Sequence, residues 1–257
     1  MFANRLMPIL FLIIWFISTV FSSVYAQKVN DLVYMTEDYA PANYLENGKL
    51  KGYSVEILKL IWKKMGYPEQ KINVFPWARS YSYVMKQKNH VLFSMARTKD
   101  RENLFKWVGP ICTSRQVLIA LADKKIKLSK IEDVKKYNTG AIIKDVAGMI
   151  VKKSGFAKKL QSVSRLSQNI QKLELGRIDL IAYSEQGLYE YLKLNRIDTK
   201  KYETVFVLQE IGLYYTFHKA TPDSLINSFQ KAIDNLHDEH MKILKKYNQV
   251  PWDKSKN

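Results

Sequence analysis

Residues 91–111 read VLFSMARTKDRENLFKWVGPI and gather the side chains of this chain best suited to gripping an anion. Two hydroxyls, Ser94 and Thr98, and two guanidiniums, Arg97 and Arg101, follow an apolar run that starts at Val91. A run of that length reads as a buried strand, too short for a globular helix. Thr98 is placed to cap a short helix beginning at Lys99, with Arg101 one turn in and Trp107, Gly109 and Pro110 closing the unit. Ligands collect at strand ends in open α/β sheets, and a helix N-terminus favours negative charge. The chemistry implied is capture of a carboxylate. Spacing alone leaves the alternative of a surface turn with solvated arginines.

Such a corner needs a scaffold, and the rest of the chain alternates strands with helices. Residues 32–35 read as a strand, followed by a loop through Tyr39, Ala40 and Pro41. Asn47-Gly48 marks a hairpin, and Ser54 is expected to cap a helix carrying Val55, Leu58, Ile61, Trp62 and Met65. A strand at 72–75 and a helix at 79–87 lead into the anion-gripping stretch. A long strand is expected over 115–122, after which the alternation restarts. Ser129 and Glu132 form a capping box, 139–143 is a strand, and Lys144-Asp145 opens a helix toward Lys153. Ser167 is expected to cap a helix over 168–175, with a strand at 178–183 and a helix at 185–194 beyond it. Residues 205–208 and 212–217 read as two strands, and Thr221-Pro222-Asp223 starts a last helix reaching about Tyr247. Two alternations without a Gly/Ser linker argue for two α/β lobes hinged by strands, with a cleft between.

Composition narrows the function classes. Nearly half the chain is hydrophobic and a quarter charged, as in a globular protein. Residues 1–5 form a short basic region, 6–20 are almost continuously apolar, and Val24 and Ala26 occupy the −3 and −1 places of a secretory signal peptide. Cleavage is expected after Ala26, and an uncleaved anchor is the alternative. The formal charge of +17 suits anionic ligands or surfaces. The lysines are nonetheless scattered, with no aromatic-basic repeat, so nucleic acid is not an expected partner. Cys112, the only cysteine, permits no intramolecular disulfide and reads as a small buried hydrophobe. His90, His218, His237 and His240 show no metal-ligand pattern, and no cofactor is expected. His237 and His240 read as part of a solvated helix face.

Several stretches, in this order, resemble the extracytoplasmic solute-binding proteins of family 3, the polar-amino-acid type that serves ABC importers. They are Tyr39-Ala40-Pro41, Gly52-Tyr53-Ser54-Val55-Glu56, Thr98-Lys99-Asp100-Arg101 with Phe105 and Gly109-Pro110 behind it, Leu175-Gly176-Arg177-Ile178-Asp179, and Lys246-Tyr247 at the end of the last helix. Pro76-Trp77-Ala78-Arg79 resembles a subgroup of the same proteins. The resemblance implies a type II periplasmic binding protein fold, an α/β fold of two lobes, each a mixed sheet flanked by helices, joined by a two-strand hinge. Residues 27–115 and 213–257 would form lobe 1, and 116–212 lobe 2.

By that resemblance Arg101 falls on the arginine that forks onto an α-carboxylate, geometry suited to guanidinium. Ser94 falls on a position that helps hold the same carboxylate, and Ala96 replaces a usual Ser or Thr. Tyr39 and Tyr44 fall near the aromatic covering the ligand side chain, Tyr44 being equally suited to hairpin packing. Trp77 lines the cleft or fills the core. In the second lobe Lys144 and Asp145 stand where relatives carry small hydroxyl residues. The acid that binds an α-ammonium aligns with Ser184, with Glu185 one position later. The amine partner is therefore Glu185, Asp145 or none, and Asp145 also reads as a helix cap. The implied protein is a periplasmic monomer, not an enzyme, which captures an amino acid or related small carboxylate and presents it to the membrane permease of an ABC importer. Two alternatives stand beside it: a cyclohexadienyl dehydratase-like enzyme using Glu185 or Glu37 as general acid, and a ligand-sensing module for a membrane receptor.

Overall fold

The computed structural model describes residues 28–157 and 159–253, so the expected signal segment lies outside the described residues. The chain runs through β1 (Val33–Thr36), β2 (Tyr44–Glu46), β3 (Lys49–Lys51), α1 (Tyr53–Lys64), β4 (Ile72–Val74), α2 (Trp77–Lys86), β5 (His90–Ala96) and β6 (Phe105–Leu121). It continues through β7 (Thr139–Ile142), α3 (Val146–Lys153), β8 (Leu160–Val163), α4 (Leu166–Glu174), β9 (Leu180–Ser184), α5 (Glu185–Leu194) and β10 (Tyr202–His218). Two helices, α6 (Asp223–Asp234) and α7 (His237–Lys246), complete it.

Strands β6 and β10, each 17 residues long, pair antiparallel along their length and form the spine of an eight-stranded sheet ordered β4-β1-β5-β10-β6-β9-β7-β8. On the ribbon, β5 meets β10 only along its last part, Leu213 to Phe217, whereas β9 pairs with β6 at Gln116 to Ile119. One lobe therefore hangs from one end of the ribbon and the second from the other. The register slips between Thr204 and Phe206, Val207 and Gln209, and Leu213 and Tyr215, irregularities that bend and twist a ladder. The two-lobed α/β class read from the sequence is the class found.

Periodicity explains the packing of each lobe. Helix α1 buries Val55, Leu58, Ile61 and Trp62 along one stripe, the 3.6-residue repeat of a core-facing helix. Trp62 meets Tyr34 of β1 edge-on at 4.7 Å. Full burial of each such side chain stabilises by roughly 1.5–3 kcal/mol. In β6, Val117, Leu118, Ile119 and Ala120 are buried consecutively, because both faces of the sheet are covered there. Cys112 is fully buried, its thiol 3.1 Å from the Tyr53 hydroxyl, and burial pushes its pKa up to about 12. Among the described residues no helix is long and apolar enough to cross a membrane.

Local caps account for most differences from expectation. Ser54 is not a cap: α1 starts a residue earlier, and the carbonyls of Pro41 and Ala42 accept its first N–H groups at 3.2 and 3.0 Å. That approach requires Gly52, at φ 120°, where a Cβ would lie 2.3 Å from the Ala42 carbonyl oxygen. Thr98 caps no helix either. Its carbonyl accepts the Arg101 N–H at 2.9 Å in a turn, and only a single 3-10 turn, Glu102–Leu104, follows. Ser167 lies inside α4, whose first turn is closed by Gln168. Residues 105–113 belong to β6, and the two short strands expected near 205 and 212 are one strand. Strand β8 had no expectation. The last helix breaks at Asn235 and Leu236, and His240 of α7 is not solvated, because its Nε2 meets the Ile111 carbonyl at 2.6 Å.

Gly52→Ala should cost about 2 kcal/mol through backbone strain and the clash with Ala42. Urea denaturation would register it as a lower midpoint at unchanged slope.

Candidate functional site

The last residue of β5, the turn behind it and the first turns of α3 and α5 converge where the lobes meet. Arg101 sits at that point, 1 % exposed. Its Nη1 donates to the Ala96 carbonyl at 3.2 Å, and its Nη2 to the Lys144 carbonyl of the opposite lobe at 2.9 Å. Its Cζ lies 5.3 Å from the Tyr81 ring centre and 5.9 Å from that of Trp77, within cation–π range. Burial lowers the guanidinium pKa, opposed by Tyr81 and Asp145. Its Nε is buried with no partner.

Lys144 and Ser94 both hold left-handed backbones, at φ 64° and 62°. Such strain costs of order 1–3 kcal/mol at a non-glycine residue and clusters at binding sites. The Lys144 carbonyl also accepts the Trp77 Nε1–H at 3.0 Å, so one backbone oxygen receives two donors from the other lobe. The Lys144 ammonium lies 5.5 Å from the Tyr81 ring centre. Lys153 of α3 pairs with Asp100 across the same junction.

These groups enclose a cavity with about 20 Å³ of room for the centre of a water-sized sphere, enough for one or two waters. Ser94, Ala96, Tyr39, Trp77, Arg101, Asp145 and Ser184 all line it. The Ser94 hydroxyl is already committed, 2.5 Å from Asn43 Oδ1 and 2.8 Å from Ser54 Oγ. Trp77 both lines the cavity and packs in the core. Asp145 is the N-cap of α3, accepting from Ala147, and Ser184 the N-cap of α5, accepting from Gly187.

Two expected residues lie elsewhere. Glu185 is turned to the hinge, where it accepts from Arg115 Nη1 and Thr204 Oγ1, each at 2.7 Å. It is one residue past the cap, so the helical rotation aims it at β6 and β10 instead of the cavity. Tyr44 stands on the hairpin and lines an outer groove of about 670 Å³. That groove shares Glu37, Tyr39 and Tyr183 with the inner cavity and is flanked across the cleft by Tyr191.

Gln116, Tyr183, Val146 and Leu213 also line the cavity and had no expectation, while the sequence suggests Glu37 only as an acid for catalysis. A glutamine heading the apolar run Val117 to Ala120 is the available signal for Gln116. Burial raises the Glu37 carboxyl well above its ordinary value, and Asp145 and Asp38 add to the effect. Asp145 is raised by burial and pulled back by Arg101. Both carboxyls keep some accessible surface because they face the cavity. Among the described residues no cluster of three or more metal-ligating side chains is present.

The model of the bacterial extracellular solute-binding proteins, family 3, matches residues 32–250. The chain belongs to that family. This family 3 protein is 23 % identical over 217 residues to the L-cystine-binding protein TcyA of Bacillus subtilis (strain 168), covering 81 % of this chain and 77 % of TcyA. The crystal structure of a histidine kinase sensor domain with similarity to periplasmic binding proteins superposes with a TM-score of 0.75 at 18 % identity, over 86 % of this chain and 98 % of that one. An ancestral arginine-binding protein bound to arginine gives 0.73 at 19 % identity, over 86 % and 99 %. At such identities the superpositions establish the fold of this family 3 protein and nothing finer.

Two outcomes test the geometry. The Tyr39 ring of lobe 1 nests on Gly187 of α5, where a Cβ would lie 2.5 Å from the ring. Gly187→Ala should hold the lobes apart, seen as a larger radius of gyration in small-angle scattering. Glu37, with its pKa raised, contributes stability below its unfolded value near 4.5 and loses it as pH climbs toward the folded value. Glu37→Gln should therefore gain melting temperature relative to wild type at neutral pH and none of that advantage near pH 4.

Proposed function

We propose that this family 3 protein is an exported, monomeric periplasmic solute-binding protein that closes on a small carboxylate-bearing ligand, an amino acid or a close relative, for the membrane permease of an ABC importer. In this reading residues 27–115 with 213–257 form lobe 1, residues 116–212 form lobe 2, and the segment before Gln27 is removed on export. The observation that carries it is Arg101: a guanidinium almost without solvent exposure, set against the adjoining rings of Trp77 and Tyr81, with its Nε turned to no protein acceptor. The Ala96 and Lys144 carbonyls engage its terminal nitrogens, and the free Nε–H is the donor left for a ligand carboxylate, which would add the charge-assisted bond that neutral carbonyls cannot. The names of TcyA and of the arginine-bound ancestral protein support an amino acid as the ligand class.

The raised carboxyl of Glu37 in the same cavity favours one second reading, an enzyme using Glu37 as general acid. Turnover of a cyclohexadienyl acid would establish it, since a binder yields no product.

A thermal-shift screen of the protein against amino acids, amines and small organic acids should give a ligand that raises the melting temperature by mass action. Arg101→Ala should weaken that ligand about tenfold or more, 1.4 kcal/mol being a factor of ten. Unchanged affinity on titration would remove the carboxylate role.

A further inference from the structure

Arg101 has a third neighbour besides the Ala96 and Lys144 carbonyls. Its Nη2 lies 3.5 Å from the Met149 sulfur, and a thioether is only a weak acceptor. For a cation so far from water an oxygen would be the ordinary partner, and here a soft sulfur takes its place. Met149 stands on the face of α3 that looks onto the opposite lobe. Val146, Met149, Ile150 and Lys153 follow one another at helical spacing on that face, and all four line a groove of about 990 Å³. Thr98, Lys99 and Asp100 of the turn after β5 line it from the other side, with Asp100 paired to Lys153. Met149 is half-buried, so solvent reaches it, whereas Met35 and Met95 are fully buried.

We propose that Met149 is an oxidation site, and that its sulfoxide clasps Arg101 across the cleft and holds the lobes together without ligand. A sulfur lone pair attacks one oxygen of hydrogen peroxide. The S–O bond forms as the O–O bond breaks, the sulfur is oxidised by two electrons, and the peroxide is reduced to water with no net proton taken up or released. The product carries a polar, strongly accepting oxygen where the thioether offered a weak acceptor. With the sulfur already 3.5 Å from Nη2, that oxygen comes within hydrogen-bonding distance of the guanidinium without displacing α3. A charge-assisted bond thus replaces a weak contact and joins α3 to the turn after β5. This inference rests on the reading of the cleft as the ligand site of an exported protein, and it adds a regulation of that site.

Sulfur chemistry in this chain falls to methionine, because Cys112, the only cysteine, is fully buried. Met65, Met85 and Met241 are half-buried too, but they pack against the lobe cores and not at the cleft. Reductases return methionine sulfoxide to the thioether, so the clasp is reversible. A ligand enters only an open cleft. A tie that leaves about one molecule in ten open therefore lowers the apparent affinity about tenfold.

The experiment treats the ligand-free protein with hydrogen peroxide, follows each methionine by peptide mass spectrometry and measures the radius of gyration by small-angle scattering. Met149 should take up one oxygen atom while Met35 and Met95 stay reduced, and the radius should fall. Methionine sulfoxide reductase should reverse both changes. Met149→Leu, of similar volume, should show no fall on the same treatment, and Arg101→Ala should take up oxygen at Met149 without becoming more compact. Calorimetric titration with the standard amino acids and cystine comes next, and any that binds the reduced protein should bind the oxidised one about tenfold more weakly. Met149 staying reduced while Met65, Met85 and Met241 oxidise, oxygen uptake with no change in radius, or equal compaction in either variant overturns the clasp. Compaction on oxidation, with none of these solutes bound by the reduced protein, sinks the amino-acid reading and spares the clasp. A solute bound equally before and after oxidation, with no compaction, does the reverse.

Discussion

A guanidinium withdrawn from water at the junction of two lobes dictates much of the surrounding structure. An uncompensated charge at that depth would cost several kcal/mol, and Arg101 is compensated from both sides. Ala96 offers a carbonyl from its own lobe and Lys144 one from the other, with the faces of Trp77 and Tyr81 stacked alongside. Asp145, also from the second lobe, supplies an opposing field. Because part of this compensation crosses the cleft, opening the lobes would expose the arginine and remove two of its supports. The closed arrangement is thereby linked to the side chain proposed to meet the ligand.

The backbone carries much of the site's recognition capacity. The strained carbonyl of Lys144 receives two donors, and the Ser94 hydroxyl is consumed by Asn43 and Ser54. Helices α3 and α5 begin at the cavity with their first N–H groups capped by Asp145 and Ser184, which fixes both side chains at the cleft. Glu185 acts elsewhere, and its bonds to Arg115 and Thr204 pin α5 to the long ribbon that joins the lobes. Gly187 and Tyr39 then set how closely the second lobe can approach the first.

The architecture was legible because strand and helix periodicities depend on burial, which local sequence encodes. The hairpin at Asn47-Gly48, α5 and the strand ending at Ala96 all follow such patterns. Caps were less legible. Ser54 and Thr98 have suitable side chains, but carbonyls brought in by Pro41 and Ala42, and a turn closed at Arg101, satisfy those N–H groups instead. At the site, the positions of Arg101, Ser94 and Asp145 could be anticipated from one stretch or one resemblance. Gln116 and the raised carboxyl of Glu37 could not, because both arise from what the opposite lobe and the hinge bring near. The placement of Glu185 at the hinge and of Tyr44 on the outer groove was hidden for the same reason: a shift of one helical residue, or a hairpin standing at the rim, is invisible without the tertiary contacts.

A crystal structure of the protein with the ligand that stabilises it most tests the central claim directly. A ligand carboxylate should lie about 2.7–2.9 Å from the Arg101 guanidinium, with both lobes touching the same molecule. A ligand seated elsewhere, with Arg101 still held by the Ala96 and Lys144 carbonyls and no ligand oxygen, would contradict it.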